Sequence, residues 1–362
     1  MTPRERVNAA IRHEMPDRTP RDFAAEPAIW SKLLEKFHTD NREDVLRFLE
    51  IDCRVLSYDD VQFVRHPNRD AQGRSGMWKH EIAPDLFVDI WGAHRRTVRN
   101  EWSSYEDLCD YPLAEVQSRE DLKKYDWPQP DWWDFTTAAE VADSLGKQGH
   151  YHLRYRVGAI FETAWSLRGF DRFLLDLMEN PELAHDLLER ILEIHLENLR
   201  QVMQIAGDRI DMVYTYDDLA HQQGLLISPA TWRRMIRPYQ ARLFGKAKEY
   251  GKTTMYHCCG AVRPLLSDMI DIGVDVINPV QPLAKGMNLA ELKAEFGTRL
   301  TFHGGIDIQK LLPQGTPEEV RDATQKTCQL LGEQGGYILS PAHHVQADTP
   351  LENIFAMFDV NP

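Results

Sequence analysis

No stretch of this 362-residue sequence approaches the roughly twenty apolar residues that a membrane-spanning helix needs. The first residues, MTPRERVNAAIRHEMPDRTP, are charged and lack the apolar core of a secretory signal. Cysteine is scarce. Cys53, Cys109, Cys258, Cys259 and Cys328 make an odd count of five, two of them adjacent, which argues against a disulfide framework and for a reducing, cytoplasmic setting. Positive charge is also short: 42 Lys and Arg stand against 56 Asp and Glu, a net charge of −14. Such a surface repels nucleic-acid phosphates, and no basic stripe interleaved with aromatics offsets it, so no nucleic-acid partner is expected. Gly/Ser linkers and proline-rich tracts are missing, which leaves a single domain over residues 1–362 as the expectation. No Gly-x-Ser-x-Gly elbow, His-Glu-x-x-His pair, EF-hand loop, phosphate loop or dinucleotide fingerprint occurs.

What is present is a chain that is 43% hydrophobic and long enough to bury roughly three quarters of its unfolded surface without staples. After residue 150, short apolar runs alternate with longer amphipathic segments, the pattern of βα units and a parallel sheet. The strand-like runs are Tyr151–Ala159, Asp211–Thr215, Thr253–His257, Val274–Asn278, Leu300–Phe302 and Tyr337–Leu339. Helices are expected over Pro181–Ala206, from Ser228-Pro229 to Tyr250, and over Arg263–Asp271, Leu289–Phe296 and Pro317–Gly332.

The first 150 residues are less regular. Thr2-Pro3 caps a first helix, a short strand is expected around Thr19–Phe23, residues 28–38 and 41–50 read as helices, and Arg54–Ser57 reads as a strand. Met77 to Arg99 alternates apolar and polar residues around turn signals and predicts a β-hairpin. The segment KKYDWPQPDWWDF sets five aromatics around two prolines and predicts a rigid loop over apolar surface.

Polar and reactive residues recur just after strands, which in a (β/α)8 barrel is the carboxyl-end face where active sites are built. The strongest such feature is Tyr256-His257-Cys258-Cys259-Gly260. A His and a Cys two apart on a breaking strand can turn toward one point, and imidazole and thiolate are ligands that suit zinc. His343 and His344 follow the last strand, and a closed barrel brings first and last units together, so His343 is the third candidate ligand. The ordinary alternative is a buried Cys acting as a small hydrophobe and a His that only hydrogen-bonds.

Asp217 and Asp218 end another strand, where one of two adjacent carboxylates can keep a raised pKa and act as an acid; loop capping is the alternative. Phe161 and Glu162 could add a ring and a carboxylate, Gln281 a neutral hydrogen-bonding contact, and Asp307 a carboxylate after Gly304-Gly305.

The segments INPVQPLAKGMNLAELKAEFGTRLTFHGGID, HCCG and GGYILSPAHHVQADTPLENI resemble the uroporphyrinogen decarboxylase-like superfamily, and residues 1–20, the DWPQPD region and residues 217–239 fit it too. That group holds uroporphyrinogen decarboxylases and zinc-dependent methyltransferases that move methyl groups to or from thiols and corrinoids. The resemblance implies a (β/α)8 TIM barrel, here with an N-terminal helical extension and a β-hairpin insertion, and suggests a homodimer. The decarboxylases carry an arginine-rich, glycine-containing segment near the N-terminus that binds substrate carboxylates. This chain has Arg18-Thr19-Pro20-Arg21-Asp22-Phe23-Ala24-Ala25-Glu26 there, without that motif. The methyltransferases use His-x-Cys plus a distant Cys for zinc. His257 and Cys259 match the first two, and His343 stands nearest the place of the distant Cys. Imidazole in place of thiolate raises the positive charge of the site, making the metal a better Lewis acid and a poorer partner for an anionic thiolate acceptor.

The resulting expectation is a zinc-dependent methyltransferase-like enzyme with zinc on His257, Cys259 and His343. Asp217 or Asp218 would handle protons, and a corrinoid or its carrier protein would exchange the methyl group with a small substrate. Two alternatives stand beside it. One is a metal-free decarboxylase or lyase with His343 or His344 as proton donor and Asp218 stabilising developing positive charge; the other is a cofactor-binding protein without turnover.

Overall fold

The computed structural model describes residues 1–67, 77–99 and 104–361. Among them, seven parallel strands form one curled sheet in chain order: β1 Cys53–Ser57, β2 His152–Gly158, β3 Met212–Tyr216, β4 Thr253–His257, β5 Val276–Val280, β6 Thr301–Ile306 and β7 Tyr337–Pro341. β3, β4 and β5 are rich in β-branched and aromatic residues, and helices lie between successive strands, as parallel crossovers require. The strand expected near Thr19–Phe23 is a short connector between the sheet edges. Arg21 bridges Leu339, with Leu339 N donating to Pro20 O and Asp22 N to Leu339 O, both at 2.8 Å. On its other side Asp52 N donates to Arg21 O at 2.9 Å, just before β1. The result is an α/β barrel-like fold.

One end of this sheet is plugged. The helix Pro3–Ile11, held by a Thr2–Glu5 capping box, sends Val7 and Ile11 into a buried cluster with Cys53, Met212, Met255, Val276 and Ile338. These five residues lie at or near the starts of their strands, so apolar packing fills the amino end. A cavity of about 660 Å³ lies above them, lined by His257, Asn278, His303 and His343 among others.

Three sequence expectations are corrected. The helix expected from Ser228-Pro229 to Tyr250 is two, Pro229–Met235 and Arg237–Glu249. Pro238 has no N–H to donate, and its ring crowds the carbonyl one turn back, so the chain breaks at Ile236. The strand expected over Leu300–Phe302 runs on to Ile306, because Gly304 takes a φ of +112° and a Cβ there would sit 2.9 Å from Val280 N. The expected hairpin is larger. Lys79–Ala83, Leu86–Asp89, His94–Arg99 and Ser104–Asp110 form a four-stranded antiparallel sheet in chain order.

The aromatic loop lies on apolar surface as expected. Trp127 and Trp133 are buried, with indole N–H groups donating to Leu122 O at 3.2 Å and Tyr58 O at 2.8 Å. No described helix is long and apolar enough to cross a membrane.

Candidate functional site

β4 delivers the His-Cys-Cys-Gly turn, and its neighbours hold three successive N–H groups of that turn. Cys258 N donates to Asn278 O at 2.7 Å, Cys259 N to Asp218 Oδ1 at 2.7 Å, and Gly260 N to Gln281 Oε1 at 2.7 Å. Gly260 sits at φ +82°, and a Cβ there would lie 2.6 Å from the His221 backbone, so only glycine fits this bend. Cys258 turns into the core and its sulfur accepts from Leu219 N at 3.3 Å, while Cys259 turns its sulfur toward the His257 ring.

Cys259 Sγ then lies 3.4 Å from His257 Nε2, and the His343 ring, carried in after β7, is centred 5.6 Å from the His257 ring. One candidate ligand atom from each of the three lies within 4.8 Å of the others. Tetrahedral zinc with N and S ligands places its ligand atoms about 3.4–3.6 Å apart, so the trio would need to close by only about 1 Å. Protonation also fits. Burial lowers the His257 pKa, and burial with the neighbouring His257 and His344 brings that of His343 down to about 3, so both rings are neutral. Burial and the nearby Asp218 push the Cys259 thiol pKa well up, leaving a proton that a bound cation would displace.

Behind His257 runs a chain of buried polar groups. His257 Nδ1 is 2.6 Å from Asn278 Oδ1, Asn278 Nδ2 is 2.6 Å from His303 Nδ1, and His303 Nε2 is 2.7 Å from Asp22 Oδ2. Arg154 closes it with a 2.6 Å ion pair to Asp22. Burial alone would raise the Asp22 pKa, but Arg154 and His303 outweigh it and hold the carboxylate ionised.

The acidic residues stand to one side. Asp217 is fully buried: Oδ1 accepts from Ile160 N at 3.0 Å and Glu162 N at 2.9 Å, and Oδ2 from Gln240 Nε2 at 2.8 Å. Burial raises its pKa to about 7. Glu162 accepts from Asp218 N at 2.7 Å, and burial beside Asp218 and Asp217 raises its pKa to about 8. Glu162 lines a second cavity of about 140 Å³ with Tyr216, Asp59 and Arg95. Asp218 is the carboxylate that reaches the trio, with Oδ1 3.7 Å from His257 Nε2.

Gln281 bridges the turn to Ala342 O at 3.3 Å, on the residue before His343. His344 lines the main cavity and stands 3.5 Å from Glu26. Phe161 is fully buried against Phe173, and Asp307 accepts N–H bonds from Gln309, Lys310 and Leu311. A hollow of about 820 Å³ at residues 15–19 and 326–333 lies beside Cys328 and contains none of these groups.

The cavity also holds residues that the sequence reading missed: Asp22, Arg154, Arg156, Tyr214, Asn278 and His303. Arg156 donates to Ser57 Oγ at 2.7 Å and pairs with Asp59 at 2.9 Å. The signal for the arginines was a period of two: Arg154 and Arg156 alternate with apolar residues in HLRYRVG and share one face of β2.

A model of the family described as uroporphyrinogen decarboxylase (URO-D) matches residues 111–361. The methylcobamide:CoM methyltransferase MtaA of Methanosarcina barkeri is 29% identical over 175 residues, 48% of each chain. The methylated-thiol–coenzyme M methyltransferase of Methanosarcina mazei is 32% identical over 131 residues, 36% of this chain and 32% of that one. The uroporphyrinogen decarboxylase of Thermus thermophilus is 27% identical over 173 residues, 48% of this chain and 46% of that one. The matched stretch thus spans about half the length of these curated relatives, or less. A solved methyltransferase structure from Methanosarcina mazei overlays 99% of this chain and 98% of its own at a TM-score of 0.69 and 16% identity, a likeness of fold. With the family model covering well over half of its length, the chain belongs to the uroporphyrinogen decarboxylase (URO-D) family.

Proposed function

We propose that this protein is a zinc-dependent methyltransferase-like enzyme, one (β/α)8 unit over residues 1–362. It would move a methyl group between a small methylated substrate and a corrinoid or thiol acceptor. The observation that carries the reading is the convergence of His257, Cys259 and His343, two neutral imidazoles and one thiol with ligand atoms within 4.8 Å, where His257 and His343 line a cavity of about 660 Å³. The methyltransferases among the relatives support it.

The donor set fits zinc: nitrogen and sulfur ligands, three in number, leaving a position for substrate. Zinc held there would supply Lewis acidity toward a substrate heteroatom. The chain's own residues do the rest. Asp218 fixes the Cys259 backbone and sets a carboxylate oxygen 3.7 Å from His257 Nε2, and Gln281 fixes Gly260 relative to Ala342. Arg156, braced by Asp59 and Ser57, gives the cavity wall a cation for an anionic substrate group. A corrinoid, free or on a carrier protein, would approach from the carboxyl-end face, since the opposite end is filled by the Pro3–Ile11 helix.

The decarboxylase reading draws on the Thermus relative. It needs a proton donor, His343 or His344, and of these two His343 is poorly suited because burial holds its pKa down to about 3. Zinc analysis of protein purified without chelator tests the proposal. About one equivalent, lost in Cys259→Ser, is expected; less than about a tenth of an equivalent, unaltered by that substitution, would remove its basis.

A further inference from the structure

The chain His257–Asn278–His303–Asp22 has a direction that its members' chemistry fixes. An ionised carboxylate only accepts hydrogen bonds, so the His303 Nε2 that lies 2.7 Å from Asp22 carries the hydrogen. Burial, with Arg154 close by, lowers the His303 pKa, so the ring is neutral with a single N–H, and its Nδ1 is bare and accepts. Its partner at 2.6 Å is the Asn278 side-chain amide, which must present its NH2 there and therefore its carbonyl to the other side. That carbonyl meets His257 Nδ1 at 2.6 Å, and a carbonyl only accepts, so His257 Nδ1 carries the hydrogen. Each step removes one alternative, and the last leaves His257 Nε2 as a bare lone pair. It is this nitrogen that faces Cys259 Sγ at 3.4 Å.

We infer that Asp22, His303 and Asn278 are positioning residues that set the tautomer of His257, holding Nδ1 protonated and Nε2 open toward the Cys259–His343 point. Nothing local to β4 would do this, because an isolated imidazole exchanges between its two N–H forms. Arg154 anchors the far end, since its ion pair keeps Asp22 ionised within the barrel, where both side chains are under 9% exposed. Four elements contribute: the connector for Asp22, β2 for Arg154, β5 for Asn278 and β6 for His303. The barrel interior thereby sets the chemistry of its rim.

The consequence for zinc rests on the function proposed above; the tautomer does not. Metal-free protein labelled with 15N-histidine, examined by two-bond proton–nitrogen correlation, reads the tautomer directly. Wild type is expected to show His257 with Nδ1–H and bare Nε2. Asn278→Ala should shift it to Nε2–H or a mixture and lower zinc affinity, read by chelator competition, about 10–100-fold. Asn278→Asp, which still accepts from Nδ1, should keep the tautomer and hold zinc more tightly than Asn278→Ala does. His257 found as Nε2–H in wild type, or unchanged in Asn278→Ala, would overturn the inference. If Asn278→Ala does not fold, His303→Phe, which removes the acceptor that orients the Asn278 amide and leaves the Arg154–Asp22 pair in place, is read instead, and an unshifted His257 there overturns it equally. Failure of the wild type to bind zinc would sink the proposed function alone, and the tautomer result would still stand or fall by itself.

Discussion

Cys259 Sγ lies 3.4 Å from His257 Nε2, close enough to share one metal ion without moving either backbone. The turn between them makes this contact, and its geometry depends on Gly260. Any other residue would adopt the left-handed region at a cost and press a Cβ within 2.6 Å of the His221 backbone. Gly260→Ala should therefore destabilise the fold by more than about 1 kcal/mol, and should weaken metal binding further than stability alone accounts for. Thermal melts with and without zinc measure both; equal shifts in the two would show that the turn serves the fold only.

His343 offers a prediction in the opposite direction. His343→Cys supplies a second thiolate and lowers the positive charge of the loaded site. Zinc should then be held more tightly against chelator, by about tenfold or more, while its Lewis acidity falls. Competition with a coloured chelator gives the first, and the reaction rate with a fixed methyl donor gives the second.

The carboxylates beneath the turn predict a pH dependence of stability. Glu162 and Asp217 have folded pKa values raised to about 8 and about 7, chiefly by burial. A raised carboxyl binds its proton more tightly in the folded state. Its contribution is complete below the ordinary carboxylate range and is lost as pH rises through about 7 to 8, a tenfold difference in proton affinity being worth about 1.4 kcal/mol. Glu162→Gln removes one titrating group, so the loss of stability between pH 5 and pH 8.5 should be smaller in the variant than in wild type. Urea unfolding at the two pH values gives the comparison, and an identical loss in both proteins would contradict the raised pKa.

Arg154 and Asp22 form a buried ion pair at 2.6 Å. Arg154→Ala leaves a buried carboxylate uncompensated and should cost about 3–5 kcal/mol. The double variant Arg154→Met with Asp22→Asn should recover part of that loss, which equilibrium unfolding can measure.

The sequence carries the barrel strands in their apolar runs and the His-x-Cys pair in its spacing, since both are local patterns. Thr253–His257 and Pro317–Gly332 have the bounds that alternation and capping predict. Asn278 and His303 are different. Their role depends on partners far along the chain: His303 meets Asp22 across 281 positions and Asn278 across 25. No periodicity encodes such a pairing; only the closure of the sheet does. The break at Ile236 was open to a sequence reading, because Pro238 marks it, whereas the extent of the antiparallel sheet depends on Ser104–Asp110 pairing back onto His94–Arg99. Asp217 and Asp218 look equivalent in sequence, and adjacency sends one into the core and the other toward the turn.

The proposed chemistry stands on His257, Cys259 and His343 holding zinc. Anomalous scattering at the zinc absorption edge, on crystals of protein never exposed to chelator, is the sharpest test. One strong peak is expected between His257 Nε2, Cys259 Sγ and the His343 ring. An ordered, fully occupied site in those crystals with no zinc peak among the three side chains would contradict it.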